Sequence, residues 1–148
     1  MRVFRFYKYK KDSELKIFSY FRQVKKKVKK RKNKEYLLHK KEALQLIEER
    51  INYFNQFYGY KWNKIFIKNQ KTRWGSCSKR GNLNFNYKII KLSKEVADYI
   101  IVHELCHLKE FNHSKNFWFL IEKTIPDYKK LRNTLRYNPF NLNQNDVR

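Results

Sequence analysis

The chain has 148 residues, enough for one domain with a single core and too few for two ordinary ones. Aromatic residues make up 18% of it, which excludes a disordered chain, and 36 Lys and Arg against 13 Asp and Glu leave a net charge of +23, a field that attracts polyanions. There are two cysteines and no CxxC pair, no apolar leader in MRVFRFYKYKK, and no stretch near the roughly 18 apolar residues of a membrane span, so the expectation is a soluble cytoplasmic protein without a membrane partner.

Residues 3–9, VFRFYKY, and 15–21, LKIFSYF, are aromatic and β-branched runs separated by KKDSE, and they read as an N-terminal hairpin. From Val24 to Lys34 the sequence VKKKVKKRKNK holds eight basic residues in eleven and no acid. Such a run reads as an arm for nucleic acid or phosphate, although a solvated helix face has the same composition. Leu37, Leu44, Ile47, Ile51 and Phe54 then recur mostly at helical spacing, which predicts a long amphipathic helix ended by Gly59. His39, alone on that helix, reads as a surface residue.

Trp62 to Lys68 and Asn82 to Ile90 alternate like strands, with the RWGSCSKRG loop or short strand between them. A helix is predicted from Ser93 as N-cap to about Lys109 or Phe111, a second after Ser114, and a third with Pro126 at its first position. The domain organisation is then a single domain over 1–136, with a basic hairpin and arm over 1–35, a motif-bearing part over 60–136, and an irregular tail over 137–148.

HELCHLKEFNH, from His103 to His113, holds three of the four histidines. On the helix from Ser93, Val96, Ile100, His103 and His107 form one stripe, so both imidazoles point the same way. Ala97, Ile101, Leu105 and Leu108 form a neighbouring apolar stripe, and Tyr99, Val102 and Cys106 cover much of the remainder, so the helix is buried on most sides. A carboxylate at Glu104 is costly there unless a nearby cation compensates it. H-E-x-x-H supplies two nitrogens one turn apart for a tetrahedral Zn²⁺ and leaves Glu104 beside the open position, as general base for a metal-activated water.

A catalytic zinc takes three protein ligands, and His113, six residues beyond His107, is the nearest candidate. The offset equals that of metzincins, but Glu110 stands where those enzymes have glycine, so the turn must be made differently. Glu110, Glu122 and Asp127 remain as competing third ligands. Two core histidines with satisfied hydrogen bonds are the bland alternative to a metal site.

Taken together, RWGSCSKRGNLNFNYKII, the helix with HELCH, NHSKNFW and IPDYKKL resemble the YgjP-like family of predicted zinc metallopeptidases over about residues 60 to 136. That family belongs with the zincins and is similar to the SprT-like proteases, some of which act on proteins bound to DNA. The resemblance implies an α+β, zincin-like fold: a small twisted β-sheet packed against the HExxH active-site helix, with a long N-terminal helix and C-terminal helices. It also implies one Zn²⁺ per chain on His103, His107 and His113, with Glu104 catalytic. The N-terminal part departs from typical members by being short and unusually basic.

Arg73 and Ser76 of RWGSC are candidates for lining a substrate cleft, while Gly75 permits a tight bend and Trp74 belongs to the core in the structural reading of that segment. Asn84 and Asn86, alternating with Phe85, are further cleft candidates on a strand whose backbone could pair with an extended peptide. Cys106 reads as a packed thiol. Three functions compete: a zinc peptidase, a zinc hydrolase of phosphoanhydride or phosphodiester bonds in nucleotides, and a nucleic-acid-binding module with structural zinc. A nucleic-acid partner through Val24 to Lys34 fits any of them, and oligomeric state is not legible.

Overall fold

A computed structural model describes the backbone of residues 3–137 and the side chains of 17–28, 30 and 34–136. The chain divides into two compact units, Met1–Leu38 and His39–Arg148. Helix α1, Val3–Tyr58, is followed by strands β1, Ile65–Lys68, β2, Gly75–Cys77, and β3, Leu83–Asn86. A 3-10 helix, Tyr87–Lys91, then leads to helices α2, Lys94–Cys106, α3, Lys115–Glu122, and α4, Tyr128–Tyr137. The architecture is α+β, as the sequence implied.

The expected hairpin over 3–9 and 15–21 is helical instead. All three glycines and both prolines come after residue 58, so the KKDSE segment between the two runs lacks the glycine that a tight hairpin turn favours. The helix ends where expected. Gly59 adopts φ 64°, its N–H bonds to the Asn55 carbonyl, and the Asn55 side chain accepts from Tyr60 N at 2.8 Å. In the second unit α1 buries Ala43, Ile47, Ile51 and Phe54, while Leu37 of the expected stripe is exposed. His39 pairs with Glu42 at 3.1 Å near the surface.

The sheet is small and mixed, in the order β1-β3-β2. β3 runs parallel to β1, with Ile67 opposite Phe85, and antiparallel to β2, with Ser76 opposite Asn84. This corrects one expectation: β3 is central, both of its edges are paired, and its backbone offers no free edge to a peptide. Its extent is also shorter than Asn82 to Ile90. Asn86 ends it, because its Oδ1 accepts from Lys88 N at 3.2 Å and starts the 3-10 helix.

α2 begins as predicted, with the Ser93 hydroxyl accepting from Val96 N, but it stops at Cys106 rather than Lys109 or Phe111. There the Cys106 carbonyl accepts from both Lys109 N and Glu110 N, a tightened last turn that turns the chain out of the helix. Every residue from Val96 to Cys106 except Asp98 is buried, as the double stripe demands. Asp98 instead takes a two-pronged pair from Arg50 of α1, at 2.6 and 2.8 Å, which ties the two helices together. Ser114 caps α3 as expected, whereas Pro126 sits in the turn ahead of α4 rather than at its first position. The irregular tail expected beyond Tyr137 lies outside the described residues. Among the described residues no helix is long and apolar enough to cross a membrane.

Candidate metal centre

The last turn of α2 presents His103, and the residue that caps that turn is His107, one helical turn further on. His113 comes from the segment just before the Ser114 cap of α3. The three rings converge: His103 Nε2 lies 3.2 Å from His107 Nε2 and 3.1 Å from His113 Nε2. Two nitrogens bonded at 2.0–2.1 Å to one tetrahedral ion stand about 3.3 Å apart, so the spacing is that of ligands around a shared cation. Among the described residues these three form the group of His, Cys, Asp and Glu that could hold an ion, and neither Glu110, Glu122 nor Asp127 joins it.

The side chains around the triad hold His107 and His113 in place. His107 Nδ1–H donates to the Glu110 carbonyl at 2.9 Å, which leaves the Nε2 lone pair facing the other rings. The Trp118 indole N–H donates to the His113 carbonyl at 3.1 Å, and the indole stacks on the His113 ring. Phe117, fully buried, stacks on His107 and meets His103 and His113 edge-on. These two aromatics were not singled out from sequence. The signal lay in NHSKNFW, where a cap at Ser114 puts the next turn of helix directly beside His113.

All three imidazoles are held below the ordinary value of 6.5. Burial is the main cause for each. His103 is depressed further by the neighbouring His107 and His113 and by the Arg132 charge, and His113 by His107 and Arg132, while the Glu110 carbonyl partly offsets the effect on His107. Neutral rings are what a cation needs. The linkage has a definite sign. Unfolded chains take up protons at these positions near pH 6.5 while the folded protein does not, so stability is full above that pH and falls as pH drops through it. Thermal melts of the chelator-treated protein should give a lower Tm at about pH 5.5 than at about pH 7.5. An equal or higher Tm at the lower pH would mean that the rings are not held neutral.

Glu104, the next residue after His103, lies toward β2 and lines one cavity with His103. It is 6% exposed and lies against Gly75, where an added Cβ would stand 2.5 Å from Glu104 Cγ and Oε1. The role expected of Gly75 is thereby corrected. Gly59 and Gly81 are the glycines with positive φ, at 64° and 72°; Gly75 is needed for close approach, not for a bend. Trp74 is buried as core, and the fully buried Cys106 thiol is pushed up to about 12 by burial, so it is a packed thiol. Half-buried Cys77 is pushed up to about 11, by burial first and then by the Glu104 charge.

The remaining sequence candidates lie as follows. Asn84 Nδ2 donates to the Ser76 carbonyl and hydroxyl across the β2–β3 pair. Asn86 is fully buried, and its Nδ2 donates to the Gln70 and Arg73 carbonyls, which fixes the loop before β2. Arg73 is exposed on that loop. None of these residues is in the histidine group, while Glu104 is in immediate contact with β2 through Gly75.

The model of the YgjP-like metallopeptidase domain matches residues 8–138. The chain belongs to the YgjP-like metallopeptidase family. It is a metal-dependent peptidase, and the match extends well beyond the residues 60 to 136 on which the sequence resemblance rested. The crystal structure of the metallopeptidase zymogen abylysin of Pyrococcus abyssi is similar in fold, with 26% identity and a TM-score of 0.58. That similarity covers 64% of this chain and 96% of abylysin. No curated protein sequence matches the chain. The family implies a divalent metal, and the neutral, convergent nitrogens of His103, His107 and His113 fit one.

Proposed function

We propose that this YgjP-like peptidase is a zinc enzyme that cleaves peptide bonds, with His103, His107 and His113 as ligands and Glu104 as general base. The observation that carries this reading is the convergence of three neutral imidazole nitrogens with a buried carboxylate on the next residue of the same helix turn. Three nitrogen donors with room for a fourth ligand suit a catalytic zinc, whereas a closed structural site takes four protein ligands and the described group has three. A bound zinc would supply Lewis acidity that polarises the scissile carbonyl and acidifies the attacking water. Glu104 would take the proton of that water and pass it to the leaving amine. An extended peptide would lie along β2, the edge strand that touches Glu104, with Ser76 and Arg73 near its backbone.

The test is metal analysis joined to a substrate screen of denatured proteins beside nucleoside triphosphates, with Glu104→Gln as blank. About one zinc per chain and Glu104-dependent proteolysis are expected. Hydrolysis confined to the triphosphates would move the reading to phosphoanhydride chemistry. Two free cysteines support a reducing compartment such as the cytoplasm. The charge of +23 and the exposed lysines of the Val24 to Lys34 run support a polyanionic partner, nucleic acid among them.

The ligand His103 also needs its second ring nitrogen held. His103 Nδ1 and the Tyr99 hydroxyl are both buried without a hydrogen-bond partner, and they line one cavity of about 30 Å³ with Trp74, Gly75 and Glu104. That is room for a bridging water, which needs at least 10–15 Å³ and two polar partners. Tyr99→Phe keeps the ring and removes only the hydroxyl. The expected result is about tenfold weaker zinc binding in a chelator competition, because groups that orient a ligating histidine are worth 10- to 100-fold in metal affinity. Unchanged affinity would remove Tyr99 from the metal site.

A further inference from the structure

The peptidase reading leaves the first unit of the chain without a task. Its apolar residues look scattered when read as a hairpin, but the helix brings them into register. On α1, Ile17, Tyr20, Phe21, Val24 and Val28 fall within an arc of about 100° at 100° per residue. Each is 40% to 64% exposed, far more than side chains that fill a core. Arg22, Lys26 and Lys30 project from the opposite side, and Lys25 and Lys27 flank the arc, all of them exposed. Phe18 lies about 60° outside it, beyond Lys25, and is also exposed.

We propose that residues 17–30 of α1 are a docking surface for an anionic lipid bilayer, on which the helix lies flat. An apolar stripe bordered by lysine and arginine matches both parts of such a surface: the stripe enters the acyl boundary and the cations meet the headgroup phosphates. Other occupants fit less of it. A nucleic acid would engage Lys25, Lys26, Lys27 and Lys30 and leave five apolar side chains in water. A second copy, stripe against stripe, would bring the flanking cations of two helices together without an acid between them. No membrane-crossing segment is involved, since docking of this kind needs a long amphipathic face and not a long apolar one.

The full-length protein is mixed with phosphatidylcholine vesicles, with or without about one third phosphatidylserine, and floated on a gradient. It should float with the anionic vesicles and bind the zwitterionic ones at least about tenfold more weakly. The variant carrying Phe21→Ser and Val24→Ser, checked for helix content by circular dichroism, should lose about tenfold in anionic-vesicle binding while its peptidase activity stays that of the parent. Retention of full vesicle binding by that variant would mean attraction by charge alone and would overturn the proposal. So would the absence of flotation when duplex or single-stranded DNA is bound instead, or when the stripe drives self-association in sedimentation. A loss of peptidase activity in the parent chain touches the zinc reading and leaves the vesicle result standing.

Discussion

Glu104→Gln is expected to retain about one zinc per chain and to lose between roughly 10² and 10⁴ in kcat, the range that a positioned general base contributes. The substitution is close to isosteric at a site that is 6% exposed, so the surrounding packing of Trp74, Gly75, Tyr99 and Ile100 has no reason to rearrange. What changes is proton affinity, because an amide oxygen cannot take the proton of the attacking water and return it to the leaving amine. The proposed ligands are untouched, since His103, His107 and His113 converge without Glu104. Metal content, kcat and KM measured together separate the outcomes. A fall in zinc content would make Glu104 part of the metal cradle, and a rate equal to the parent's would put the base elsewhere.

The parts of the fold that local chemistry controls were legible in the residues. The double stripe on α2 follows from 3.6-residue periodicity, and Ser93 and Ser114 cap their helices because each hydroxyl can accept the N–H three residues on. The histidine pair is legible for the same reason, being one turn apart. His113 is the nearest third candidate in the sequence, but the early helix end at Cys106 that lets it return is not legible there. The bonds that make this end belong to the backbone of Lys109 and Glu110 and carry no side-chain signature. The placement of β3 between β1 and β2 was hidden because pairing partners, one of them parallel, are set by contacts between segments and not by the alternation within one. At the N-terminus aromatic and β-branched runs pointed to strands. Helix prevailed in a chain segment with no glycine or proline to turn it. Gly75 shows the limit most directly, because a glycine that makes room and a glycine that bends read the same in one sequence.

Gly75→Ala should therefore lower activity by roughly 10², the cost of about 1 Å of displacement at a reacting group, while zinc content stays near one per chain. The added methyl group would stand 2.5 Å from Glu104 Cγ and Oε1 and 2.7 Å from Cδ, well inside van der Waals contact, so something must move. The strand is poorly placed to yield. Gly75 is paired with the fully buried Phe85, and Trp74 accepts from Asn86 N at 2.8 Å. The helix backbone is held by a nearly continuous buried face from Val96 to Cys106. The carboxylate is the far end of a flexible side chain, and its displacement is the cheapest response. If that is the cause, Gly75→Ala and Glu104→Gln disable one group, and their combination should be no slower than Glu104→Gln alone. Losses that multiplied in the double variant would show that Gly75 acts on something other than Glu104. Parent-like activity in Gly75→Ala would show that the position of this carboxylate does not limit the reaction.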